Sequence, residues 1–311
     1  MNNLAKIQED TLQDNAKSVH NIIRAVAPFL FSDPDKFFQA HTLTVATGKN
    51  LLAGKIQAVT LAEKELRNCW IKADDVERIH IEKDIGEAEA QLQQLSVGVH
   101  ALDHIGAIQE NFLQKEITGH WIDKFSELAR THNESWRSKL LACALAAESV
   151  LPGSVSLRTL WVLGTLEEEQ FVAFSTFLNL CTDIENTLMI PLTYYGEVTV
   201  QIPVPNCPLG DDITIGKLVS ILQDVDFLRD RNASFRLGKN TGGKNFAIAR
   251  YDNKKATMTC YNLEISGVML TGVGESVASF CERKPNPLGK DIFESWLKSL
   301  DGKKCKYTLS E

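Results

Sequence analysis

The stretch Trp136–Phe177, WRSKLLACALAAESVLPGSVSLRTLWVLGTLEEEQFVAFSTF, reads as three helices joined by two very short turns. Asn133 or Ser135 can cap the first helix ahead of Trp136. From Leu140 to Ala147 the run LLACALAA is apolar on every side, which marks a helix buried on every side, and it is too short to span a membrane. Pro152-Gly153 stops that helix and makes the turn. Ser154 or Ser156 can accept the free amides of the next helix, Leu157–Leu163, and Gly164 suits its left-handed end. Thr165 and Glu168 match a capping box for the third helix. That helix sets Phe171, Phe174, Phe177 and Leu178 on one face.

Glu148 and Arg158 lie ten residues apart across the tight turn. One reading is a partly buried ion pair that fixes the angle between two helices, since an unpaired charge there is costly. The other is an anion site built by Ser154, Ser156 and Arg158 at a helix N-terminus.

Residues Trp136, Leu140, Leu141, Ala142, Glu148, Pro152, Gly153, Ser154, Ser156, Arg158, Thr159 and Leu160 form the string W-x-x-x-L-L-A…E-x-x-x-P-G-S-x-S-x-R-T-L. This string resembles an uncharacterised family of bacterial cytosolic proteins. More loosely, it is similar to helical modules named for abortive infection of phage. The resemblance extends upstream through Glu110-Asn111 and His120–Phe125 and downstream to Cys181. It implies a setting, phage defence or a mobile element, and no reaction.

The chain has 311 residues, enough for about two domains, and its 44 % hydrophobic and 23 % charged content is that of a globular protein. A net charge of −7 argues against a chain built mainly to bind nucleic acid. No signal peptide and no transmembrane run is expected. The seven cysteines are odd in number and none lie in C-x-x-C, which fits reduced thiols in a cytosol.

Residues 1–27 carry a three-to-four apolar period, and 34–68 is helix-like with Gly48 and Gly54 as interruptions. From Asp74 to Leu95 one apolar stripe runs along a charged helix, expected to form an antiparallel hairpin with a helix over Val97–Phe112. His100 and His104 share one face of the latter beside Asp103, the spacing a metal site uses. With no third ligand fixed by spacing (His80 and His120 have no spacing argument) they are weak candidates, and no metal or cofactor is assigned.

Near residue 185 the period changes to two. Strands are expected over Met189–Tyr195 and Val198–Ile202, with Asp211 or Asp212 capping a helix over Ile213–Leu222. Further strands are expected at Phe235–Leu237, in a hairpin of Phe246–Tyr251 with Thr257–Tyr261, and at Lys304–Leu309. Helices are expected over 274–283 and Pro287–Leu300. A hairpin followed by Leu270, Thr271, Gly274, Val277 and a helix resembles the wing of bacterial winged-helix domains. The expected organisation is thus mainly α in the N-terminal part, with a helical bundle over 1–130 and the three-helix module over 131–185. A smaller α+β domain, winged-helix-like, covers 186–311.

Between residues 229 and 255 stand Arg229, Arg231, Arg236, Lys239, Lys244, Arg250, Lys254 and Lys255 against Asp230 and Asp252. Eight less two is +6, leaving −13 on the rest, so this basic segment is the candidate for an anionic partner: nucleic acid, nucleotide or another subunit. Within it, Gly238–Lys244 meets G-x-x-x-x-G-K, but Asn245 replaces the Ser or Thr that holds magnesium, and an alternating strand follows. Gly242-Gly243 therefore reads as a loop. The expectation is a non-enzymatic cytosolic assembly protein, a homo-oligomer through its N-terminal helices. A nucleic-acid-binding protein and a nucleotide-binding enzyme using Gly243 and Lys244 are the alternatives.

Overall fold

A computed structural model describes residues 16–27, 43–105, 116–191, 198–202, 207–229, 234–237, 245–260, 263–300 and 305–310. The chain divides into two compact units, Met1–Gly164 and Thr165–Glu311. The first is helical and the second, slightly smaller, is α+β, as the sequence leads one to expect. No described helix is long and apolar enough to cross a membrane.

In the first unit, helix α1 (16–26) buries Val19, Ile22, Ile23 and Val26. Its end is satisfied by side chains, because Gln94 Nε2 and Ser126 Oγ both donate to Ala25 O, at 2.9 and 3.0 Å. Helix α2 (Val45–Lys72) is opened by a capping box of Thr44 with Thr47 and runs through Gly48 and Gly54 without interruption. Helix α3 (Asp75–Ile105) starts on the Asp74 carboxylate, which accepts from the Val76 and Glu77 amides at 3.0 and 2.9 Å. The segments read as two helices, 74–95 and 97–112, are one helix as far as Ile105, and its hairpin partner is α2. No proline or glycine stands between Gln91 and Val97 to end the helix, and at Gly98 the missing side chain lets it pack closely on Val26 and Leu52.

Helices α4 (Gly119–Thr131), α5 (Ser135–Val150) and α6 (Leu157–Thr165) complete the unit. As its apolar run requires, α5 buries Leu140, Leu141, Ala142, Ala144, Leu145 and Ala146. Its N-cap is Glu134, with no capping side-chain bond, in place of Asn133 or Ser135. Helix α6 continues through Gly164, which is not a left-handed cap; a Cβ there would collide with Leu128.

The second unit begins with α7 (Glu168–Leu180). Its capping box is Glu167 with Gln170, two residues on from the expected pair. The boundary expected near residue 185 therefore falls earlier, because α7 packs on α8 (Ile215–Asp224) and Phe174 meets Phe227 at 4.3 Å between ring centroids. Strands β1 (Thr182–Ile184), β2 (Thr187–Pro191), β5 (Ser234–Leu237), β6 (Asn245–Tyr251), β7 (Lys254–Cys260), β8 (Leu263–Met269) and β9 (Cys305–Ser310) form one antiparallel sheet in the order β5-β8-β2-β1-β6-β7-β9. Strands β3 (Thr199–Gln201) and β4 (Asp212–Thr214) pair separately, and Thr214 caps α8 where Asp211 or Asp212 was expected.

Helix α9 (Gly272–Ala278) is capped by Thr271, as read from the sequence. Helix α10 (Pro287–Leu300) lays Phe293, Trp296, Leu297 and Leu300 into one cluster with Ala247, Met258 and Ile265 of the sheet. The β6–β7 hairpin is not a wing. Its strands are flanked by β1 and β9 inside the sheet, so their edges are already paired. Cys260 and Cys305, opposite each other on β7 and β9, are disulfide-bonded, which corrects the expectation of seven reduced thiols; the other five are free.

Candidate functional site

Three places carry the sequence candidates. The first is the turn between α5 and α6. Pro152-Gly153 makes it, with Gly153 at φ 95°, a backbone that favours glycine. Glu148 is buried, and its two carboxylate oxygens accept from the amides of Gly153 at 2.7 Å and Val155 at 2.8 Å. Burial raises its pKa above that of an ordinary glutamate, while the Val155, Gly153 and Ser154 hydrogen bonds oppose the shift. The carboxylate thus closes the turn on backbone amides of its own chain. Ser154 also bonds to this carboxylate, and Ser156 Oγ accepts from Thr159 N at 3.0 Å as the α6 N-cap. These hydroxyls close local structure. Trp121 Nε1 donates to Val155 O at 2.8 Å, pinning the turn from α4. The Arg137 guanidinium lies 4.7 Å from the centre of the Trp136 ring and bonds Glu134 at 2.9 Å.

The second place is the histidine pair on α3. His100 Nδ1 lies 3.9 Å from Asp103, which also pairs with Lys49. His104 Nε2 sits 3.2 Å from the Cys143 Sγ of α5. Burial pushes the Cys143 thiol up, which favours a protonated thiol donating to the imidazole. The two histidines therefore face different partners. Among the described residues no group of three or more His, Cys, Asp or Glu is placed to hold a metal ion.

The third is the basic segment. Arg231, Lys239, Gly243 and Lys244 lie outside the described residues, as does the Arg236 side chain, although its backbone is in β5 opposite Glu264. The remaining cations are largely engaged. Arg229 Nε donates to Leu270 O at 2.7 Å and reaches Glu275 at 3.4 Å. Arg250 stands 3.9 Å from Asp183. Lys254 pairs with Glu294, and that hydrogen bond is the main reason the Glu294 carboxyl titrates below its ordinary value. Lys255 lies exposed on β7. Asn245 opens β6 directly, where a phosphate loop needs a helix.

A fourth place was not singled out by sequence. Beyond its base the α2–α3 hairpin has no buried residue from Thr60 to Gln93. Leu66, Trp70, Ile81, Ile85 and Leu92 are half-buried in its seam. Leu61, Ile71, Val76 and Ile79 are 64, 68, 68 and 67 % exposed. The last three flank the two-residue link Ala73-Asp74, beside a pocket of about 470 Å³ lined by Cys69, Lys72, Ala73, Glu77, His80 and Ile81. Arg67–Glu89 and Trp70 Nε1–Glu82, at 2.5 and 3.1 Å, hold the two helices in register. The sequence signal was present, since isoleucine and valine off the seam stripe have no partner in a two-helix hairpin. The pairing of α3 with α2 was needed to identify which positions are off the seam.

No curated protein and no solved structure matches the chain. The model of a family described as a protein of unknown function (DUF2806) matches residues 77–288, more than half of the chain, which therefore belongs to that family.

Proposed function

We infer that this protein is a non-enzymatic assembly protein whose α2–α3 hairpin joins copies of the chain. The observation that carries this reading is the exposure of Ile71, Val76 and Ile79 at the free end of a hairpin with no buried residue from Thr60 to Gln93. Isolated surface leucines are ordinary, but an apolar group at the tip of a projecting two-helix element usually has a partner. Two amphipathic helices also hide little apolar surface on their own, and a second hairpin completes a four-helix core. The basic segment supports nucleic acid less well, because three of its described cations already meet carboxylates. The bacterial cytosol as the setting is supported by the family resemblance and not by the cysteines, since Cys260 and Cys305 are disulfide-bonded. The resemblance of the Trp136–Leu160 string to abortive-infection modules supports a role in phage defence or a mobile element.

Light scattering on the purified protein, with absorbance at 260 and 280 nm on the same peak, tests the reading. A homo-oligomer with a protein-like absorbance ratio is expected. Ile71→Asp with Ile79→Asp should yield monomers that keep the helical circular dichroism of the wild type, and whose melting temperature no longer rises with protein concentration. A monomeric wild type overturns the proposal. A raised 260 nm signal surviving high salt would replace it with nucleic acid or nucleotide binding at the basic segment.

A further inference from the structure

The charges of the hairpin are divided unequally between its helices. In the part without buried residues, α2 carries Lys64, Arg67 and Lys72 against Glu63 and Glu65, three less two, or +1. The facing part of α3, with its Asp74 cap, carries seven acidic residues against Arg78 and Lys83, two less seven, or −5. The pairs within the hairpin do not remove this difference, since they draw on charges already counted, and Arg130 of α4, which pairs with Glu87, offsets only one of the seven acids.

Two hairpins stacked face to face by two-fold symmetry have two arrangements. With the axis along the hairpin, the tips lie together and each α2 sits beside the partner's α3. With the axis across it, the tips point opposite ways, and α2 meets α2 while α3 meets α3. The first sets +1 against −5 twice. The second sets −5 against −5. Like charges along a helix seam are destabilising, and charges at such flanking positions set partner and orientation. The first arrangement also brings Ile71, Val76 and Ile79 of both copies to one level, removing the exposed apolar tip from water.

We propose that two copies of this chain pair through their α2–α3 hairpins in a tip-aligned four-helix bundle, with α2 of each copy against α3 of its partner. The proposal rests on the assembly reading above and adds the occupant, symmetry and register of that interface.

The deciding experiment reverses two exposed acids of α3, Glu77→Lys with Asp84→Lys, which changes its distal charge from −5 to −1. The dimer dissociation constant is measured at low ionic strength, where exposed charges are least screened. The tip-aligned bundle loses most of its attraction, so dimerisation should weaken on the order of tenfold, and added salt should shrink the difference. The crossed arrangement predicts the opposite sign, because relieving −5 against −5 tightens the dimer. A tighter dimer, or no change, overturns the proposal while leaving assembly standing. A wild type that never dimerises instead removes the assembly reading itself. The melting temperature of each variant separates dissociation from unfolding. The milder pair Glu77→Gln with Asp84→Asn should move the constant in the same direction by less.

Discussion

The turn after α5 and the free end of the α2–α3 hairpin distribute polarity in opposite ways. At the turn a carboxylate, Glu148, is buried and spends both oxygens on backbone amides of its own chain. At the hairpin, isoleucines and a valine are left in water. The turn carries the most recognisable string in the sequence, yet its residues are accounted for by local closure: Glu148 and Ser154 on the loop, Ser156 on the α6 N-terminus, Trp121 on Val155. The hairpin carries no motif, yet it is the element whose composition its own contacts do not explain. A specific motif can thus record a folding requirement, while the apolar residues whose exposure local packing leaves unexplained lie where the sequence carries no motif.

Breaking the turn should have the largest effect. Glu148→Ala strands the Gly153 and Val155 amides and leaves a void, and should cost about 3 kcal/mol in urea unfolding. The pH dependence sharpens this. The folded-state pKa of Glu148 is raised by burial above the 4.5 of an ordinary glutamate, so the folded state binds the proton more tightly than the unfolded one. Its titration therefore contributes stability that is full below pH 4.5 and lost as pH rises through the folded value. The stability of wild type relative to Glu148→Gln should fall over that window. A difference that grows with pH would mean that the hydrogen bonds outweigh desolvation.

The hairpin divides into a packed base and an open shaft, and two glycines of one helix test that division. At Gly98 a Cβ would lie 2.6 Å from Val26 Cγ2 and 3.1 Å from Leu52 Cδ1. Gly98→Ala should destabilise by about 2 kcal/mol through overpacking. At Gly86 nothing lies within 4 Å of the same atom. Gly86→Ala should stabilise the helix by about 1 kcal/mol, the gain in helix propensity. Equal effects of the two changes, read by chemical denaturation, would mean that the base is no more tightly packed than the shaft.

Much of the architecture was legible because it is local. The buried run Leu140–Ala147 has no polar face, Pro152-Gly153 cannot continue a helix, Thr271 sits where an N-cap belongs, and β6 and β7 alternate, although β7 starts at Lys254 and not at the expected Thr257. The short strand β1 was not legible: three residues after a long helix, between β2 and β6, have no period to read. Strand β8 was missed for a related reason. Leu263–Met269 is buried on both faces near its end, which blurs the alternation of an exposed strand. The basic segment was legible as charge, but Glu275, Asp183 and Glu294, which meet Arg229, Arg250 and Lys254, come from distant parts of the chain.

By itself the sequence determined the helical first unit, the α+β second unit, the central turn and a few helix ends, such as the Thr271 cap of α9, because periodicity, capping and backbone restriction act over a few residues. Tertiary structure alone decided that α3 pairs with α2, that Glu148 binds the Gly153 and Val155 amides, that α7 belongs with the sheet, and that Ile71, Val76 and Ile79 stay exposed. Each of these depends on which distant groups compete for the same partner, and burial settles that competition only once the whole chain has folded.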